Sequence, residues 1–209
     1  MFRSNTHTNR ITALLLLLVL LILSPAAVQA RRLFYAEEFY LYVMNLYSVN
    51  GSLERNIRFM QWALAAPFDN PVNSLTKIES ENDWTRYKAL FKLHVNLLII
   101  DSYLQLARRF DKEHLYFFNL WHAEELAESF QIARYYYETA RLYWVEAVRL
   151  AGAVGEAPGR IDIDDWEDDL FLIQEGTLDY ETIISEHLGR LDYKIGRVED
   201  YLLAAGDGF

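Results

Sequence analysis

Through most of this chain, apolar residues recur every third or fourth position with almost no alternation of period two, which is the rhythm of α-helix. Leu90, Leu93, Leu97, Ile100, Leu104 and Ala107 follow spacings of 3, 4, 3, 4 and 3. Ala133, Tyr137, Ala140, Trp144, Ala147 and Ala151 follow 4, 3, 4, 3 and 4, with small residues between large rings. Ile184, Leu188, Leu191, Ile195, Val198 and Leu202 repeat that order in nearly three heptads, a seam fit to pack on the body or on a coiled partner. Nine glycines and four prolines leave few interruptions in 209 residues. An all-α fold follows, either an antiparallel helical bundle or a short stack of helical hairpins.

The breakers place the boundaries. A first helix runs from about Arg31 to Ser48 and stops at Asn50-Gly51, a turn pair. Ser52 caps a second, which ends before Pro67, and two prolines make Ala66 to Pro71 a loop. Asp83 is the expected cap of a long third helix over Trp84 to Arg109, and a loop around Asp111 to Asn119 follows. A fourth helix spans about His122 to Ala151, ending at Gly152 and Gly155, with Ala157-Pro158-Gly159 in the linker. A short acidic helix, about Asp164 to Gln174, closes at Gly176, and the last helix spans about Asp179 to Ala205. The predicted domain is 31–205: a main body 31–152, a linker 153–161, and the acidic and heptad helices within 162–205.

Residues 1–30 read as an export signal. Arg3 and Arg10 precede an uncharged run from Ile11 to Leu23, Ser24-Pro25 breaks it, and Val28-Gln29-Ala30 offers small residues for cleavage after Ala30. As a helix that run reaches roughly 20 Å, short of the ~30 Å hydrocarbon core. The expected location is periplasmic with no membrane insertion after cleavage, and an uncleaved anchor is the rival reading. Losing Arg3 and Arg10 takes the net charge from −10 to −12. That sign argues against nucleic acid and anionic lipid as partners. With no cysteine, disulfides and thiolate metal sites are excluded.

Chemistry is thinly represented. The residues three before His94, His114, His122 and His187 are Phe91, Asp111, Asn119 and Ile184, so no Glu-x-x-His pair exists, nor any HExxH. No metal site, cofactor or enzymatic activity is expected. His94 and Asp101 sit seven apart on one helical face, as a polar core pair, as half a metal site, or as residues satisfied by hydrogen bonds between helices. From Asp162 to Asp169 six of eight residues are acidic. They suit a helix N-terminus or a solvated face, a cation, or a basic partner docking at Trp166. Tyr135, Tyr136 and Tyr137 occupy consecutive helix positions about 100° apart. Tyr137 belongs to the alanine seam, so Tyr135, with Tyr136, is expected at solvent or at a partner.

The segment Ala133 to Ala151 resembles a tetratricopeptide-type helix. More widely, Ala66-Pro67-Phe68 with Pro71, Trp84-x-x-Tyr87, Asp111-Lys112 and Tyr116-Phe117-Phe118-Asn119, together with that Ala/Tyr/Trp helix, resemble spirochaetal periplasmic flagellar collar proteins over roughly 34–151. The resemblance implies a non-enzymatic scaffold subunit that assembles with other helical-repeat proteins, envelope or flagellar-collar components, around the flagellar motor. Two other functions remain open: a periplasmic small-ligand binder with Tyr135, Tyr136 and Trp144 lining a pocket, and a cell-wall enzyme with a lone catalytic Glu. A closed channel favours the ligand binder, and a broad exposed aromatic patch favours the scaffold.

Overall fold

The computed structural model describes residues 32–46, 52–112, 122–155 and 161–206. The expected signal segment, the expected Asn50-Gly51 turn, most of the loop expected over 111–119 and the centre of the expected linker lie outside them. The chain divides into two units after Leu33, and the second, beginning at Phe34, contains every described helix.

Its described residues form α1 (Ala36–Leu46), α2 (Leu53–Ala65), α3 (Glu81–Phe110), α4 (Ala123–Gly155), α5 (Asp164–Gln174) and α6 (Tyr180–Gly206), with one 3-10 turn at Pro71–Asn73. No strand occurs among them. Ser52 caps α2 as expected, its hydroxyl accepting from the Arg55 N–H. The cap of α3 is Ser80 rather than Asp83. Its hydroxyl accepts from the Asp83 N–H, while the Asp83 carboxylate accepts from the Glu79 N–H. The linker expected over 153–161 begins later, since α4 runs through Gly155. Gly176 adopts φ +69° and ends α5 in a left-handed turn, as the glycine suggested.

Successive helices pack in chain order, α1 on α2, α2 on α3, α3 on α4 and α4 on α6, with α5 laid against α3 and α4. Cross-contacts fix their directions as antiparallel. Phe39 meets Trp62 and Tyr42 meets Phe59. Early Arg86 reaches the late Val154 carbonyl, and Trp144 meets Tyr180. All three apolar stripes face inward. On α3 burial goes further: Tyr87, Val95, Ile99 and Leu106, which lie off the stripe, are also buried. A helix apolar on most of its circumference belongs at the centre, and α3 is that helix.

Two buried polar clusters orient the outer helices. Arg86 holds Glu167 with bonds of 3.0 and 2.6 Å from Nε and Nη2, and Glu167 also accepts from the Ile161 N–H. That pair fastens α5 to α3. At the far end of α3, the Tyr137 hydroxyl donates to Asp111 at 2.6 Å, and the Tyr137 ring stacks on His187 at 4.9 Å. Lys194 of α6 donates to the Asp111 carbonyl. Lone buried charges would cost several kcal/mol, so these partners select one docking of α5 and α6.

Candidate functional site

Tyrosines on the shoulder of the α4 seam help to build a concavity between α2, α3 and α4. Tyr136 and Tyr143 are seven residues apart and stand on one edge of the helix. Tyr103 of α3 fits between them, its ring centre 5.9 Å from that of Tyr136 and 5.8 Å from that of Tyr143. Phe110 extends the row beyond Tyr136. Opposite, Gln61 of α2 donates from its amide to the Tyr143 hydroxyl at 2.8 Å and to the Tyr103 hydroxyl at 3.3 Å. Tyr103 and Tyr143 line the space between α2, α3 and α4, and Tyr136 packs behind them against Tyr103.

The space is an open groove of about 580 Å³, with Leu64, Lys92, Asn96, Thr139 and Glu146 completing its walls. Tyr135 and Leu142 form its rim, 61 % and 71 % exposed. Burial first, and then the neighbouring phenols, push the Tyr103 hydroxyl up to about 12, so Tyr103 acts through its hydrogen bond and ring face. Among the described residues, the groove hydroxyls of Tyr103 and Tyr143 bond to Gln61 and that of Thr139 to the Tyr135 carbonyl. The groove offers what recognition of an amphipathic segment needs: aromatic area, an amide, and the Lys92 ammonium beside the Glu146–Arg149 ion pair.

The expected site residues separate here. Tyr135 is exposed at the rim, and Tyr136 is half-buried in the tyrosine row. Trp166 is not a docking point: it is 2 % exposed, packed among Tyr40, Tyr87 and Phe91, with His94 stacked on its ring. The acids around it are divided by the turn of the helix. Glu167 and Asp169 point inward to Arg86 and His94, while Asp164, Asp165 and Asp168 face water. His94 and Asp101 do not pair with each other. His94 donates from Nδ1 to Asp169 at 2.6 Å, and Asp101 accepts from the Tyr180 hydroxyl. Each is thus satisfied by a different helix. Trp144 lies in the α4–α6 core against Tyr180 and does not line the groove.

Sequence reading missed Gln61, Tyr103, Leu142 and Tyr143. The seven-residue spacing of Tyr136 and Tyr143 was the available signal. No three His, Asp or Glu side chains converge as around a metal ion among the described residues. None of the described helices is long and apolar enough to cross a membrane. A family model described as a domain of unknown function matches residues 82–201, which is more than half the chain. No curated protein and no solved structure matches it.

Proposed function

As this chain belongs to the DUF8513 family, whose matched span runs from α3 into α6, we propose that it is a non-enzymatic periplasmic scaffold that binds other proteins through the tyrosine groove. One observation carries the reading. The groove is open to solvent, and its rim leaves Tyr135 and Leu142 mostly bare. Exposed rings of low side-chain entropy make good anchors for a partner helix or extended segment. A small ligand needs a site that encloses most of its surface, and an open groove offers less. The resemblance to flagellar collar proteins supports one setting for this role, among helical-repeat partners in the envelope around the motor.

The test is co-purification from cross-linked envelope. Tyr135→Ala and Leu142→Ala are expected to lose the captured partners while keeping the wild-type melting temperature. Tyr137→Ala melts early and serves as the control for general destabilisation. Wild-type capture by the two rim variants would exclude the groove as the contact surface.

A further inference from the structure

Helix α4 carries two seams. The buried one, from Ala133 to Ala151, faces the body. On the opposite side Tyr135, Glu138, Leu142, Val145, Arg149 and Gly152 follow spacings of 3, 4, 3, 4 and 3, and all six are exposed. Val145 is 63 % exposed, and with Tyr135 and Leu142 it bares apolar area on this face. The stripe runs about 26 Å at 1.5 Å per residue, and no other helix covers it among the described residues. A surface helix needs one stripe for its own fold, and this one is surplus.

Its residue order is self-complementary in one direction. A second copy laid antiparallel, about a twofold axis between Leu142 and Val145, sets Leu142 against the partner's Val145. The same register sets Glu138 against the partner's Arg149, and Tyr135 against the partner's Gly152. Each pair fits. Glu138 has no cationic partner among the described residues. Arg149 binds Glu146 through Nε and Nη2, which leaves Nη1 to reach across. A side-chain carbon built at Gly152 would meet no atom within 4 Å, so a ring can settle there. Glu138 and Arg149 stand about 17 Å apart on each copy, so one twofold brings both ion pairs together at once. Parallel pairing would set each charge against its own image, and like charges oppose it. A slip of one heptad would set Arg149 against Val145, or Glu138 against Leu142.

We propose that the protein is a twofold homodimer through the outer seam of α4, antiparallel and in this register. Tyr135 and Leu142 also belong to the rim of the tyrosine groove. The inference therefore rests on reading that rim as a contact surface, and it names a second copy of this chain as a partner there.

Sedimentation velocity of the protein as isolated from cells, across a dilution series, tests this. Wild type is expected to reach twice the monomer mass and stop there, because a twofold contact closes on itself. Glu138→Arg sets arginine against arginine at both ends of the seam, and Arg149→Glu sets carboxylate against carboxylate. Each should weaken dimerisation by about tenfold or more. An equimolar mixture of the two single variants should pair again, one copy of each, as should a chain carrying both changes. Circular dichroism confirms that the variants are folded. A monomer at every concentration overturns the proposal, as do single variants that dimerise like wild type, a mixture that stays apart, or growth beyond the dimer. A monomeric chain that captures another envelope protein, and loses it in Val145→Asp, overturns it in favour of a foreign helix. The groove is checked apart from the seam by envelope capture with Tyr143→Ala. Capture unchanged there counts against the groove and leaves the dimer, whereas a monomeric wild type counts against the dimer and leaves the groove.

Discussion

Tyr137 joins an apolar role to a polar one, and two substitutions separate them. Its ring is fully buried in the alanine seam and its hydroxyl donates to buried Asp111. Tyr137→Ala should lower stability by about 3–5 kcal/mol, as large-to-small core changes do. Tyr137→Phe should cost about 1–3 kcal/mol, the penalty of leaving a buried carboxylate oxygen without its donor. Urea melts of both variants check the order. Glu37 supplies a pH effect. It is 3 % exposed, its Oε2 accepts from the Asp69 N–H, and burial raises its carboxyl above the ordinary value near 4.5. The folded state therefore holds this proton more tightly than the unfolded chain does. Stability from this residue is fully present below pH 4.5 and is lost as pH rises through the raised value. Glu37→Gln should melt above wild type at pH 7, with the difference shrinking towards pH 4. An unchanged difference across that range would exclude Glu37 as the titrating group.

Helix α5 shows what an element owes to distant residues. It has eleven residues, too few to hold together alone in water, and no side-chain cap at its N-terminus. The Arg86–Glu167 pair and the buried Trp166 hold it in place. Arg86→Ala should cost about 3–5 kcal/mol by leaving Glu167 buried and unpaired. Hydrogen exchange in 164–174 should speed up first, and adding Glu167→Leu should recover part of the loss. Equal exchange in variant and wild type would show that the tryptophan alone is sufficient. The same helix marks the limit of what the sequence discloses. The three long stripes and the turn at Gly176 were legible because each is set by neighbours within a few residues. The inward faces of Glu167 and Asp169 were not, since their partners lie 81 and 75 residues away. Six acids around one tryptophan look like a wet surface until Arg86 and His94 are known to stand opposite. The groove was half legible for the same reason: Tyr135 and Tyr136 are conspicuous in a row of three, whereas Gln61 and Tyr103 join them only across helices.

At the scale of the whole unit, the serial order of packing predicts a gradient of local stability. Helix α1 packs chiefly on α2 and meets α3 through Tyr40, whereas α3 and α4 share the deepest core. Native-state hydrogen exchange should find the slowest amides in α3 and α4 and the fastest helical amides in α1. Matching opening energies in α1 and α3 would mean that the N-terminal hairpin unfolds only with the rest. Helix α3 carries thirty residues without an internal proline or glycine. At 1.5 Å per residue it is a rod of about 45 Å, sheathed along its length by other helices. Such a rod behaves as a strut. A pull applied where α2 meets it is borne by the whole axis rather than absorbed in a hinge, so displacement at one end is delivered undiminished to the other.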